Sequence, residues 1–266
     1  MKNWILLSNM LILVLSSCVK LPIHESKWYD ENSFNNTFYK FYDADNKLRY
    51  DVFNDNENVY LRLNSSDRNT IFKILGGGLS IYFDSTGKKK QVVYLNFPIQ
   101  NKGNKPHNDN RQNRMDRNSI NSFTANTIER IPPNAIFINE SGTKVFDYRK
   151  GYEGIDIVVD VDSTGSFYYY LTMPIEKIIN SGFTNETEFS IGFNTGSIDM
   201  PTSGNRMDSG SKMPGGRNGI PVSSMPGGGH GGRPQRNMDQ DGIMQQFTKP
   251  IKIWFKVRLK LESHNS

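Results

Sequence analysis

The sequence predicts an all-β fold, a two-sheet antiparallel β-sandwich of the jelly-roll or immunoglobulin-like kind with at most one or two short helices. Apolar and polar residues alternate with a period of two through most of the 266 residues, as in strands that bury one face. The turn sequence Asp-Ser-Thr-Gly occurs twice, at 84–87 and 162–165, each time between two alternating runs. Many short strands that each bury one face favour two packed sheets.

The alternation assigns an inward face to each predicted strand. These inward positions are Leu48, Tyr50 and Val52; Val59, Leu61 and Leu63; Leu79, Ile81 and Phe83; Ile155, Ile157, Val159 and Val161; and Phe167, Tyr169 and Leu171. Aspartate first and glycine fourth are the residues that tight turns favour, so both Asp-Ser-Thr-Gly turns are interpreted as structural. "PIEKIINS" at 174–181 predicts a short helix that starts with proline, and "TEFSIGFNTG" predicts a further strand.

The last strand, "IKIWFKVRLKLE", has an apolar face and a basic face. Its inward residues are Ile251, Ile253, Phe255, Val257, Leu259 and Leu261, and its outward residues are Lys252, Trp254, Lys256, Arg258 and Lys260. Edge strands often carry lysines that prevent pairing with other chains. The alternative is a contact surface for anionic headgroups or an acidic partner, with Trp254 as its anchor and Lys88-Lys89-Lys90 beside it. The candidate binding residues are therefore Lys252, Trp254, Lys256 and Arg258.

The amino terminus predicts a lipoprotein signal peptide over residues 1–17. A short basic start is followed by an apolar run from Trp4 to Val14, which is too short to span a bilayer comfortably. The following Leu-Ser-Ser-Cys resembles a bacterial lipobox, and Cys18 is the only cysteine in the chain. We expect cleavage before Cys18 and acylation of its sulfur, which would hold the protein on a membrane. No aspartate follows Cys18, so the expected location is the outer membrane facing the periplasm, with surface exposure left open.

The remaining chain divides into a tether and one domain. Residues 18–45 are interpreted as the lipidated cysteine and a tether ending in an edge strand or strap, and 46–262 as a single sandwich domain. Two stretches, 101–118 and 199–246, are longer than passive connections and carry few core-forming residues. The second stretch contains most of the methionines of the chain. A soft-metal site for Cu(I) at Met225, His230 and Met238 is one interpretation of it, against a partner-binding loop or a solvated insertion.

No catalytic constellation emerges from the sequence, which therefore predicts neither an enzyme nor a cofactor. The histidines at 24, 107, 230 and 264 fall in predicted loops or termini, without a serine or cysteine nucleophile motif nearby. The aspartates on the outward side of one strand are interpreted as solvated charges, with a calcium site as the alternative. That site would use Asp43, Asp45, Asp156, Asp160 and Asp162. The net charge of +5 is spread along the chain without nucleic-acid-binding motifs, so no nucleic acid partner is expected.

The order of several segments resembles a known family. "YDVFNDNENVYLRL", "LSIYFDSTGKK", "YYLTMPIEKII" and "FSIGFNTG" follow one another as the corresponding strands do in carbohydrate-binding module family 9 and its DOMON-like relatives. Gram-negative envelope lipoproteins of unknown role look similar too. The likeness covers about residues 46–262 and implies a β-sandwich that binds a sugar, haem or another small group.

Two departures limit what the resemblance implies about residues. The sugar binders of the family clamp a ring between tryptophans, whereas Trp28 lies in the predicted tether and Trp254 on the last strand. Haem-binding relatives use methionine with histidine or lysine, and here Met173 is the only methionine in a predicted strand. We therefore expect a non-enzymatic, lipid-anchored envelope protein that binds a glycan or a protein partner. The alternatives are a copper or haem binder and a purely structural accessory lipoprotein.

Overall fold

The computed structural model describes residues 20–36, 38–100, 128–129, 131–179, 187–197 and 249–261. These residues form two packed β-sheets, as the sequence predicts. Sheet A has the order β1 (Ile23–Glu25), β13 (Lys252–Arg258), β12 (Glu188–Thr195), β6 (Leu79–Asp84), β7 (Val93–Asn96), β8 (Asn134–Asn139), β9 (Gly142–Asp147). Sheet B has the order β10 (Asp156–Val161), β11 (Phe167–Pro174), β5 (Asn58–Ser65), β4 (Leu48–Asn54), β2 (Lys27–Trp28), with β3 (Phe41–Asp43) also paired to β4.

The core lies between the inner faces of the two sheets, and the alternation of apolar residues correctly predicts most of its members. The inward residues predicted for the strands that became β4, β5, β6 and β11 are all buried, as are those of β13 as far as Leu259. Val159 and Val161 are partly buried against the core. Leu261 is 37% exposed, so the alternation was extended one position too far.

The two α-helices that lie wholly within the described residues agree with the expected number but differ from the expectation in place. Helix α1 (Glu31–Phe34) and helix α2 (Arg68–Gly77) were not predicted. Helix α2 begins where the Asp67 side chain accepts a hydrogen bond from Thr70 N, and it ends at Gly78, whose φ of 76° stops it. The helix predicted over 174–181 is a single 3-10 turn, Ile175–Lys177, within the described residues. The hairpin of β8 and β9 was also missed, because its strand residues do not alternate strongly.

The edge strand or strap expected before residue 46 joins the sandwich, so within the described residues the domain starts earlier than the boundary expected at residue 46. Strand β1 pairs with β13 and strand β2 with β4, both in parallel, whereas the other pairings within the described residues are antiparallel. Between them the chain crosses from sheet A to sheet B at Ser26. The buried Ser26 hydroxyl lies 2.5 Å from Asn54 Oδ1 and accepts from Lys260 N at 2.9 Å. Each sheet thus gains an edge strand from this segment.

The next residues form a strap, defined as 29–36 and 38–40, over the outer face of sheet B. Arg62, which is 1% exposed, projects from the middle of that face. Its guanidinium donates to the carbonyl oxygens of Phe34 and Asn36 at 2.5 Å each, and to that of Phe38. It also pairs with the buried Asp51 carboxylate at 2.7 Å. A buried charge requires such a partner and full hydrogen bonding, so this pair and the strap depend on each other.

Arg62→Met is expected to destabilise the protein by about 3–5 kcal/mol, because it leaves the Asp51 carboxylate buried and the strap carbonyls without donors. The matched control is Lys27→Met. The Lys27 ammonium also pairs with the Asp51 carboxylate, at 3.2 Å, but the Lys27 side chain is 37% exposed. The control is expected to cost no more than about 1 kcal/mol. Urea unfolding followed by far-UV circular dichroism measures both values. Equal losses in the two variants would contradict a central role for Arg62.

Candidate functional site

A row of aromatic residues crosses the outer face of sheet A. The strand register places Trp254 opposite Gly192, Gly192 opposite Tyr82, and Tyr82 opposite Tyr94. The alternation in each strand sends the neighbouring residues into the core, so these four face outward together. The three side chains form what we call the aromatic platform: Trp254, Tyr82 and Tyr94.

The platform depends on the missing side chain at position 192. A Cβ atom built on Gly192 would lie 2.5–2.7 Å from Cε2, Cζ2 and Cδ2 of Trp254. Three nearly equal distances mean that one face of the indole covers the glycine backbone. The indole ring lies 5.8 Å from the Tyr82 ring at an angle of 21°, and the Tyr82 ring lies 5.0 Å from that of Tyr94 at 43°. Tyr82 is buried while Trp254 and Tyr94 are partly exposed.

Polar groups border the platform on one side. The next register row on the same face contains Lys252, Asn194, Ser80 and Asn96. Asn96 Oδ1 is buried and accepts no hydrogen bond from the residues that the structure describes. An unpaired buried acceptor is uncommon and is satisfied when a donor reaches it. Toward the sheet edge the face becomes aliphatic, at Ile136, Ile138 and Val145.

The predicted basic residues of β13 are not equally available. Lys252 is exposed. The Glu188 carboxylate accepts from Arg258 at 2.6 Å and from Lys256 at 3.5 Å. The hydrogen bond from Arg258, together with both positive charges, lowers the pKa of the Glu188 carboxyl. These two cations are therefore partly neutralised, and only Lys252 keeps an uncompensated charge beside Trp254 among the four predicted residues.

Strand β13 is an edge strand over part of its length. It pairs with β12 along one side, and on the other side β1 covers Lys256 to Arg258. Lys252 lies on the stretch that has no partner on that side among the described residues, which is consistent with the expected protection of a free edge. Strands β12, β6 and β7 lie on the other side of Trp254 and bring further rings beside it.

The remaining sequence candidates lie elsewhere. Cys18, Met225, His230 and Met238 fall outside the described residues, as do the two long stretches at 101–118 and 199–246. Met173 is fully buried in the apolar core and faces no opening. His24 packs between the rings of Phe41 and Phe255, at 3.8 and 4.7 Å, and its burial with the nearby Lys40 charge lowers its pKa to about 4. It thus belongs to the packing of the amino-terminal segment.

Two of the proposed calcium aspartates serve turns. Asp162 accepts hydrogen bonds from the backbone of Thr164 and Ser166, and Asp43 accepts from that of Asn46. Across the described ranges, no group of three or more histidine, cysteine or acidic side chains is placed to hold a metal ion. The same ranges contain no helix that is both long and apolar enough to cross a membrane.

Sequence reasoning identified Trp254 but missed its companions. Tyr82 and Tyr94 were each readable as outward residues, since Ile81, Phe83 and Leu95 point inward. What the sequence did not supply was the order of the strands, which brings β13, β12, β6 and β7 side by side. Gly192 in "SIGFN" was the one local signal, because glycine inside a strand often marks a close approach.

Comparison with known proteins gives a weak likeness of fold. No family model and no curated protein matches the chain. Among solved structures, the chain is similar to a carbohydrate-binding module of family 9 from Caldicellulosiruptor kristjanssonii, solved in complex with glucose. The two are 6% identical with a TM-score of 0.36, and the match covers 92% of this chain and 98% of that chain. The family resemblance expected from the sequence therefore stays a prediction.

Gly192→Ala is expected to displace the Trp254 indole, because the new methyl group would occupy the space of the ring. We expect a loss of about 1–3 kcal/mol in unfolding free energy, as for other overpacked sites, and a red-shifted tryptophan emission. The matched control is the same substitution in a Trp254→Ala background, where alanine meets no ring and the loss disappears. A full loss in both backgrounds would show that Gly192 is required by the backbone and not by the ring.

Proposed function

We propose that this protein is a non-enzymatic binding module, held at the cell envelope by lipid on Cys18, that binds glycans on its aromatic platform. The observation that carries the proposal is the Trp254 indole lying against Gly192, beside Tyr82 and Tyr94. One indole face is thus held against the sheet, and the ring is positioned without a ligand.

The chemistry of the platform suits a sugar ring. A pyranose has faces of C–H groups and a rim of hydroxyls, so it packs on an aromatic face while its rim needs hydrogen-bonding groups. Aromatic rings supply rigid apolar area at low entropic cost. The rim groups would be Asn96 Oδ1, the Ser80 hydroxyl and the Lys252 ammonium, all in the adjacent register row.

The same face supports binding more readily than catalysis. Glycoside hydrolysis uses two carboxyl groups on either side of the bond to be cut. Among the described residues, the carboxylates at outward strand positions of sheet A are Asp84, Glu188, Glu25 on the edge strand β1, and Asp147 on β9, which is paired with Arg149. Asp84 accepts four hydrogen bonds within its own turn, and Glu188 is paired with Arg258 and Lys256.

A protein partner is the second candidate, and the aliphatic end of the face favours it. Val145 on β9 is 54% exposed and lies opposite Ile136 on β8. Ile138, two residues further along β8, lies on the same face. Exposed apolar residues that continue an aromatic row form the kind of surface that protein interfaces bury. A protein would cover both ends of the face, whereas a sugar chain would need the platform.

The test is a glycan array probed with the full chain, followed by titration calorimetry with the polysaccharides that bind. Trp254→Ala is expected to weaken binding about five- to tenfold, in line with the loss of one aromatic stacking contact. The matched control is Trp28→Ala, which removes a tryptophan on sheet B and should leave affinity unchanged.

Two results would count against the proposal. Equal losses in Trp254→Ala and Trp28→Ala would place binding away from the platform. Absence of binding to every glycan tested, together with a partner protein whose capture is lost in Val145→Asp, would favour the second candidate.

A further inference from the structure

Four lysines surround one cavity on the outer side of sheet A. Lys20, Lys88, Lys89 and Lys256 line a cavity of about 460 Å³, together with Leu21, Ile23 and Gly87. Ile23 is 50% exposed. We call the four lysines with Leu21 and Ile23 the basic patch. It is separate from the aromatic platform, although Lys256 follows Trp254 by two residues on the same face of β13.

The hairpin tip that carries two of these lysines is rigid. The Asp84 carboxylate accepts from Thr86 N at 2.9 Å, Lys88 N at 3.1 Å and Lys90 N at 2.9 Å. The Ser190 hydroxyl also donates to the Lys88 carbonyl oxygen. With the backbone fixed in this way, the turn presents the exposed side chains of Lys88 and Lys89, and neither has a salt-bridge partner among the described residues.

The positive charge of the patch is only partly balanced. Asp84 is 4% exposed, so its charge is buried beneath the turn and engaged by backbone donors. Glu188 lies 3.5 Å from Lys256 but is shared with Arg258. The Lys256 side chain in turn reaches the turn itself, since a Cβ on Gly87 would lie 3.5 Å from its Nζ. The four lysines therefore line one cavity from three segments of the chain.

The patch lies next to the predicted lipid anchor. Lys20 follows Cys18 by two residues, a span of about 7 Å at most. Directly after Lys20, the chain is bound to strand β13, because Lys256 N donates to Pro22 O at 2.8 Å and Ile23 pairs with Lys256. Because Cys18 lies two residues before Lys20, an acyl chain on Cys18 would bring this surface to the headgroup layer.

We propose that the basic patch docks the domain on anionic lipid headgroups of the membrane that holds Cys18. This inference rests on the lipid anchor in the proposed function, though not on glycan binding. Lysines near an anionic surface each strengthen attachment, about fivefold per residue, while Ile23 and Leu21 supply apolar side chains at the interface. The domain would then have a fixed orientation, with sheet A beside the membrane.

The experiment measures lysine accessibility in the full chain purified from membranes and reconstituted in vesicles. An amine-reactive reagent is applied, and labelling at each lysine is read by peptide mass spectrometry. One vesicle set is pure phosphatidylcholine and the other contains about 30 mol% phosphatidylglycerol, an anionic lipid. We expect Lys20, Lys88 and Lys89 to be labelled several-fold more slowly in the anionic set, and the difference to vanish at about 0.5 M salt.

A variant pair separates the patch from general attraction. Lys88→Gln with Lys89→Gln should weaken docking about 25-fold, taking the two lysines together, and so restore labelling of Lys20. The control, Lys150→Gln with Lys249→Gln, removes two exposed lysines at the opposite end of sheet A and should leave Lys20 protected. Exposed lysines contribute little to folding, so both variants retain the sandwich.

Equal labelling in the two vesicle sets would overturn the proposal, as would equal effects of the two variants. The mass of the purified chain tests the anchor separately, since acylated Cys18 carries added lipid mass. A chain without that mass would contradict the anchor alone. If that unlipidated chain floats with anionic but not with zwitterionic vesicles, headgroup docking by the basic patch is still supported. If the chain floats with neither, headgroup docking is rejected.

Discussion

The buried pair of Arg62 and Asp51 is the interaction on which the amino-terminal half of the structure depends. Two strands of sheet B place a guanidinium and a carboxylate on an outer face that would otherwise be exposed. Burial of these charges requires a cover, and the carbonyl groups of the strap provide it. In return the strap fixes the segment before it, which contributes one edge strand to each sheet.

The amino-terminal segment also shapes the surroundings of strand β13, whose outer face carries Trp254 and Lys256. Strand β12 pairs with it along its whole length, and β1 covers its other side at Lys256–Arg258. Trp254 can then share a continuous surface with Tyr82 and Tyr94, across the gap left by Gly192. Two positions along the same strand, Lys256 joins a cluster of lysines from the amino terminus and the β6–β7 turn.

Alternation along single strands predicted one part of the candidate site and missed another. Alternation correctly assigned the inner and outer faces of β4, β5, β6, β11 and most of β13, because burial of one strand face is a local consequence of period two. It also placed Trp254 and Lys256 outward. The same rule was silent on residues 23–43, which mix aromatic and polar side chains and were interpreted mainly as a tether. The first two strands of this range pair in parallel with partners distant in sequence, joining Ile23 to Lys256 and Lys27 to Phe53.

By itself the sequence determined the all-β class, the two-sheet layering, the structural use of both Asp-Ser-Thr-Gly turns and the outward position of the tryptophan on the last strand. Each of these follows from forces that act within a few residues: the pleat of a strand and the backbone preference of a turn. Only the tertiary structure decided that Gly192, Tyr82 and Tyr94 lie beside Trp254, that Arg62 is buried under a strap, and that Lys20 and Lys88 face one cavity. Those contacts depend on the order in which strands from distant parts of the chain pair, and the side-chain pattern of a single strand does not encode its neighbour.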